Sequence, residues 1–310
     1  MPLLSFVIPC YGSEKTIEYV IDEIIEVVAK KKEFDYEIIC VNDQSPDNVF
    51  EVLIKLAELN PKIKVIDLAK NFGKHSAVMA GFSVVKGDYI ICLDDDGQCP
   101  MDRLWDLLDP LLNNEADFSM AKYNEKKQSR FKNFGSSINS LMSRILINKP
   151  KELRFTNFKA MKRFIVDEII KYNNPYPYIE GLTLRTTNRI ITVEMEERER
   201  YAGVGHFTLR KSISLWMNGF TAFSVKPLRI ATVVGIAFAL IGFIFGLIVV
   251  IRKLIIPSIA VGYSSTIAII LFIGGMLMLM LGFIGEYIGR IYISLNNSPQ
   301  YVIRERINID

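Results

Sequence analysis

The sequence predicts an α/β domain with a largely parallel sheet, followed by two membrane helices. Two observations lead there: short apolar runs alternate with amphipathic stretches over the first hundred residues, and long uncharged runs fill the last quarter of the 310-residue chain.

The strands come first. Leu4 to Ile8, Glu37 to Val41, Lys64 to Leu68 and Tyr89 to Leu93 are short, apolar and bounded by polar residues, as buried parallel strands are. Between the first two, Ile17, Val20, Ile21, Ile24 and Val28 recur at helical spacing. Val49, Val52, Leu53 and Leu56 do so between the next two. These faces belong to a core and imply no chemistry.

The uncharged runs extend from Ile230 to Ile251 and from Leu254 to Gly285, separated by Arg252 and Lys253. Each is long enough for the roughly 20 apolar residues of a spanning helix. Gly242 and Gly246, and Ala231 and Gly235, give the first run small faces for helix packing. Arg210, Lys211, Lys226 and Arg229 precede the spans and Arg290, Arg304 and Arg306 follow them, outnumbering Arg252 and Lys253. By that bias the large domain and both termini face the cytoplasm. The expected organisation is a cytoplasmic domain over 1–225, a two-helix anchor over 226–288 and a cytoplasmic tail over 289–310. The N-terminal segment lacks the basic start of a signal peptide. Cys10, Cys40, Cys92 and Cys99 show no close paired spacing and read as reduced thiols. A net charge of +3 without a long basic run excludes a nucleic-acid partner, and basic residues beside the spans suit an anionic membrane surface.

Chemistry is expected where the strands end. In an open α/β sheet, loops and helix N-termini converge outside the carboxyl edge. Pro9 to Glu14 follows the first strand, Asn42 to Ser45 the second, Asn71 to Lys74 comes shortly after the third, and Asp94 to Gln98 follows the fourth. No Gly-x-Gly-x-x-Gly and no phosphate-loop lysine motif occurs among them, which argues against dinucleotide enzymes and phosphate-loop NTPases. Asp94, Asp95 and Asp96 carry the sharpest signal, since adjacent carboxylates repel unless a cation sits among them. Mg²⁺ and Mn²⁺ take such oxygens together with those of a diphosphate. An acidic surface turn is the alternative for such a run, and its delivery to the ligand edge favours metal binding.

In order along the chain stand VIPCYGSE (7–14), VNDQSPD (41–47), NFGKHSA (71–77), DDDGQCP (94–100), RYAGVGHFTLRK (200–211) and GEYIGRIY (285–292). This series resembles the inverting glycosyltransferases of the GT-A fold, family 2, in the polyprenyl-phosphate branch that includes dolichyl-phosphate mannose synthase. The resemblance covers nearly the whole chain. It implies metal-dependent inverting transfer of a sugar from a nucleotide diphosphate sugar, usually a UDP-sugar in this branch, to polyprenyl (undecaprenyl) phosphate. The product would be a lipid-linked sugar for modifying cell-envelope glycans, made at the bacterial inner membrane by a multi-pass homo-oligomer such as a tetramer.

By the same resemblance, Pro9, Tyr11 and Glu14 line the base and ribose, and Asp43 accepts hydrogen bonds from them. Asn71, Lys74, Asp95 and Arg130 join the substrate-binding set. Asp94 and Asp96, with Gln98, hold the Mg²⁺ or Mn²⁺, and Arg200 meets the acceptor phosphate or the donor diphosphate. An arginine suits that place because its planar fork grips phosphate oxygens in pairs. Asp94, Asp96 and Arg200 are thus the expected catalytic residues.

The chain departs from the family pattern at three places. Thr156-Asn157-Phe158-Lys159 stands where relatives have Gly-Asp-Phe-Arg, Gly203-Val204-Gly205 where Gly-x-Ser is common, and Lys122 near a usual arginine. Phe131, Phe134, Ile138, Leu141, Met142 and Ile145 recur at helical spacing beside Arg130, Lys132 and Arg144. Leu209, Ile213, Trp216 and Phe220 do so beside Arg210 and Lys211, and the second group reads as an in-plane membrane helix. Two other functions compete: a processive polysaccharide synthase of the same fold, against which stands the lack of a Gln-x-x-Arg-Trp motif, and a catalytically idle nucleotide-binding membrane scaffold, against which stand Asp94, Asp96 and Arg200.

Overall fold

A computed structural model describes residues 1–123, 153, 155–198, 226–256, 262–296 and 298–309. Its elements in chain order are β1 (Leu3–Cys10), α1 (Ile17–Ala29), β2 (Asp35–Asn42), α2 (Val49–Leu59), β3 (Ile63–Leu68), α3 (Lys74–Phe82), β4 (Tyr89–Cys92), a short 3₁₀ turn (Met101–Arg103), α4 (Leu104–Leu112), β5 (Phe118–Tyr123), β6 (Lys159–Lys162), α5 (Arg163–Ile169), α6 (Ile179–Thr186), β7 (Ile190–Met195), α7 (Lys226–Ile255), α8 (Tyr263–Leu295) and β8 (Ile303–Ile307). The four strands expected from the sequence are all present, each within two residues of its expected ends.

The strands form one sheet in the order β7-β5-β6-β4-β1-β2-β3-β8. β1 to β4 are parallel, β6 runs antiparallel between β4 and β5, and β7 is parallel to β5. Successive side chains of a strand point to opposite faces. Leu4, Phe6 and Ile8 of β1 therefore pack with α1, α2 and α4, whereas Val7 packs with α3, α5 and α6 on the other side. Both faces are covered, which is why the parallel strands are apolar throughout rather than alternating.

Helix α3 lies unusually close to the sheet. A Cβ on Gly81 would stand 2.5 Å from Val7 Cγ1, so only glycine lets the helix approach this near. At its start Gly73 has φ of 87°, a backbone state that disfavours side chains. Together these two glycines set where Lys74 and His75 stand.

The C-terminal tail holds a feature that the sequence reading did not foresee. After α8 the chain returns to the domain, and β8 pairs antiparallel with β3 at the sheet edge. Arg304 reaches Asp67 Oδ2 at 3.2 Å and donates to the Ala69 carbonyl at 2.9 Å. Asn308 donates to the carbonyls of Ala57 and Ile63. Just before β8, Gln300 donates to the carbonyls of Tyr172 and Asn174, and Ser294 at the end of α8 bonds the Asn174 side chain.

Both α7 and α8 leave large apolar side chains in the open, among them Val233, Leu240, Phe243, Phe272, Met278 and Leu281. A Cβ on Gly235 would come within 2.9 Å of Met280 Cε, which marks where α7 and α8 touch. Among the described residues one segment, Phe272–Leu295, is long and apolar enough to cross a membrane, and Gly235–Phe245 is a shorter apolar stretch. Two long helices stand where the pair of spans is expected, and among the described residues one of them holds a segment of spanning length and apolarity.

Candidate active site

The loops after β1, β2 and β4 and the segment leading into α3 close into one hydrogen-bonded rim at the carboxyl edge of the sheet. The Tyr11 N–H donates to Asp95 Oδ2 at 2.9 Å, and the Gly12 N–H to Ser45 Oγ at 2.7 Å. The Glu14 N–H donates to Asp47 Oδ2 at 2.9 Å, while Glu14 Oε2 accepts from the Asn48 N–H at 3.3 Å. Pro9 lines a neighbouring pocket, and Tyr11 is exposed.

Asp43 is buried, with its Oδ1 accepting the Phe72 N–H at 2.7 Å and its Oδ2 the Gly73 N–H at 2.8 Å. Asn71 Nδ2 donates to the Asp43 carbonyl at 3.0 Å. The carboxylate thus ties the β2 loop to the entry of α3. Burial pushes its pKa up to about 6, against the two N–H donors that favour the charged form. Asn42 beneath it donates to Asp67 Oδ1 at 2.7 Å, so the same loop is tied to the carboxylate that Arg304 holds.

The three adjacent acids divide their work. Asp95 turns inward onto Tyr11 and sits largely desolvated, which raises its pKa to about 6. Asp94 faces the pocket, paired with the Lys74 ammonium, and its Oδ2 accepts from Asn157 Nδ2 at 2.6 Å. Asp96 Oδ1 accepts the Gln98 N–H at 3.1 Å. Gln98 in turn exchanges bonds with Arg198: its carbonyl accepts the Arg198 N–H at 3.2 Å and its Nε2 donates to the Arg198 carbonyl at 3.3 Å. Arg198 is itself paired with Glu23 at 2.5 Å and with Asp102.

Among the described residues no three His, Cys, Asp or Glu side chains converge as a complete metal cage. Two carboxylates at an open edge are what Mg²⁺ or Mn²⁺ needs when substrate phosphates fill the remaining positions, so Asp94 and Asp96 fit such an ion. The four cysteines are all free and buried. Burial pushes the Cys92 thiol up to about 12, which leaves it inert as nucleophile or ligand.

Behind Asp94 lies a small open pocket whose wall includes Lys74, His75, Asn157, Lys159 and Glu180. Lys159 and Glu180 are buried and paired, Nζ to Oε1, at 3.1 Å. Glu180 is absent from the set that the sequence reading singled out, because one acid at the start of a short helix carries no local signal. Lys159 and Asn157 were noticed only as departures from a family pattern. Arg200 and Arg130, and the two stretches of helical spacing around 131–145 and 209–220, lie outside the described residues. Lys122 is exposed and pairs with Glu194 at 2.8 Å.

Comparison with known proteins matches residues 5–170 to the family described as Glycosyl transferase family 2, and residues 226–291 to one described as GtrB C-terminal hairpin. The glycosyltransferase YkcC of Bacillus subtilis (strain 168) is 31% identical over 306 residues, covering 99% of this chain and 94% of the relative. The SfII prophage-derived bactoprenol glucosyl transferase of Shigella flexneri is 31% identical over 304 residues, covering 97% of each. Among solved structures, glucosyl-3-phosphoglycerate synthase from Mycobacterium tuberculosis in complex with Mn²⁺ and UDP-glucose superposes with a TM-score of 0.54 at 19% identity, over 71% of this chain and 77% of that one. That likeness is one of fold, the GT-A arrangement of a mostly parallel sheet.

Proposed function

This chain is a glycosyltransferase belonging to glycosyl transferase family 2, and we propose that it moves a sugar from a nucleotide diphosphate, a UDP-sugar, onto polyprenyl phosphate at a membrane surface. The observation that carries the proposal is the pairing of Lys74 with Asp94 at the carboxyl edge of the sheet, with Asp96 two residues on in the same loop, in a chain whose likeness to a bactoprenol glucosyl transferase runs nearly end to end.

The chemistry asks little of the protein beyond alignment. A phosphate monoester has its second pKa near about 6, so the lipid phosphate is already a nucleophile and needs no strong base. One of its oxygens bonds to the anomeric carbon as the bond from that carbon to the donor's β-phosphate breaks. The nucleoside diphosphate leaves with the electron pair, and the anomeric configuration inverts. Charge balances without a proton transfer. Asp94 and Asp96 would hold a divalent cation, Mg²⁺ or Mn²⁺, which when bound stabilises negative charge on the leaving diphosphate. Lys74 stands where it can pass from Asp94 to a phosphate oxygen. Asp43, by fixing the Phe72–Gly73 backbone, shapes the nucleotide side. Arg200 is assigned to the acceptor phosphate, and Arg198 supports that role by anchoring the chain two residues earlier to Gln98, Glu23 and Asp102.

Membrane attachment rests on the open apolar faces of α7 and α8 and on the match to a hairpin family. Because β8 rejoins the sheet of the N-terminal domain, the chain must cross an even number of times, which favours a two-span hairpin with domain and tail on one side. Basic flanks put that side in the cytoplasm. We assign a homo-oligomer, a tetramer, whose contacts would cover part of the open faces.

The test is to incubate the purified full-length protein with undecaprenyl phosphate and a panel of nucleotide sugars, with Mg²⁺ or Mn²⁺, and to weigh the lipid product by mass spectrometry. A glycosyl phosphoryl lipid is expected with one donor. Elongation of a free polysaccharide instead would favour a processive synthase, and failure with every donor would favour a nucleotide-binding scaffold.

A further inference from the structure

The pocket behind Asp94 contains a polar group with nothing to bind. Glu180 is 8% exposed, and its Oε1 is satisfied by Lys159, but its Oε2 has no hydrogen-bond partner in the structure described. The nearest candidate, His75 Nδ1, stands 3.8 Å away, beyond hydrogen-bond reach. A buried carboxylate oxygen left this way is costly, and such groups in folded proteins are almost always paired.

The carboxylate is ionised all the same. Against strong desolvation, the Lys159 ammonium holds its pKa down to about 2. Burial lowers the His75 pKa, so the imidazole is the neutral member of the group. The result is one anion and one cation in balance, with an acceptor to spare. Such a site selects a neutral hydrogen-bond donor, a hydroxyl or an amide N–H, over a further charge.

Position decides which molecule brings that donor. The same pocket is walled by Asn157 and by Asp94 and Lys74, the two groups that the transferase reading places at the donor's diphosphate. The part of the donor next to its diphosphate is the sugar. We propose that Glu180, held in place by Lys159, reads a hydrogen-bond-donating group on the sugar of the nucleotide sugar and so sets which sugar is transferred. The assignment rests on the transferase reading above and deepens it.

The experiment uses the full-length protein and measures affinity for UDP, for UDP-glucose, UDP-galactose, UDP-N-acetylglucosamine and GDP-mannose, and for monodeoxy analogues of whichever sugar the wild type prefers. Glu180→Gln keeps the shape and removes the charge. The double variant Lys159→Met/Glu180→Gln removes both charges, so that no lone ammonium is left buried, and circular dichroism checks the fold of each. In both, the preferred nucleotide sugar is expected to bind about ten- to a hundredfold more weakly, with UDP affinity unchanged. One deoxy analogue should bind the wild type poorly, and that penalty should vanish in the variants. If UDP affinity falls in step with that of the nucleotide sugar, Glu180 only supports the pocket and the assignment is overturned. Unchanged affinity and unchanged discrimination overturn it too, and leave the donor reading standing. A wild type that binds none of the nucleotide sugars overturns both.

Discussion

At the scale of single residues, the site separates acids that face outward from acids that hold the frame. Asp94 presents its oxygens at the pocket, to Lys74 and Asn157, and Asp96 accepts one backbone N–H from Gln98 in the same loop, while Asp95 and Asp43 tie separate loops together through backbone N–H groups. Asp96→Asn keeps the turn onto Gln98 but removes the charge of a proposed metal ligand. Partners of a metal's ligands are themselves worth about 10- to 100-fold, so transfer in this variant should fall by more than about a hundredfold, and excess EDTA should silence the wild type. Full turnover in EDTA, read from lipid product, would sink the metal assignment. Asp43 yields a pH effect with a definite sign. Its folded-state pKa of about 6 lies above its ordinary value of 3.8, so as pH falls through 6 the folded protein takes up a proton that the unfolded chain still refuses. The protonated carboxyl is a poorer acceptor, and its grip on Phe72 and Gly73 loosens. Affinity for a nucleotide sugar should therefore weaken below about pH 6 in the wild type and weaken less in Asp43→Asn, where Asp95 still titrates at about 6, as calorimetry on both would reveal. A nucleotide sugar is the right probe because its phosphates lack the second pKa near about 6 of a phosphate monoester.

Among the elements, α3 and β8 do the most to place the site. Helix α3 brings Lys74 and His75 to the pocket, and it can do so because Gly81 lets it settle against Val7. Gly81→Leu would force the helix outward. Overpacking of this kind costs about 1–3 kcal/mol, so chemical denaturation should show a loss of that size together with weaker donor binding. Wild-type stability in that variant would mean that the helix has room to spare. Strand β8 works from the opposite edge, where Arg304, 53% exposed in its side chain, meets the 2%-exposed side chain of Asp67. Asp67 also anchors Asn42, whose Oδ1 accepts the Ser45 N–H at 3.1 Å. The strand that follows α8 is thus joined to the loop after β2 through two side chains.

The whole molecule is a domain whose sheet is completed only after the chain has left it and come back. A protein cut at residue 225 loses β8 along with α7 and α8, exposing the β3 edge and leaving Asp67 without Arg304. Replacing 226–296 by a long flexible linker keeps β8. The linker protein should melt higher than the truncated one, by roughly 4–8 °C for each kcal/mol if the domain behaves as a small one and less if larger. Equal melting temperatures would mean that β8 adds nothing to the fold.

By itself the amino-acid sequence determined the four parallel strands, the first two of the helices between them, the loops at their carboxyl ends and the apolar runs near the C-terminus. All of these are written in local periodicity, which reflects burial and needs no knowledge of distant partners. Asp94 to Asp96 were legible for the same reason, since three adjacent acids announce themselves. The pairing of Ile303–Ile307 with β3, the meeting of Lys159 with Glu180, and the inward turn of Asp95 were decided only by the tertiary structure. Ile303, Arg304, Glu305, Arg306 and Ile307 show a polar centre between apolar ends, but nothing in them names the strand they join. A partner hundreds of residues away, or an acceptor left without one, is a property of how the chain closes on itself, and the free energy of that closure is carried by no single segment.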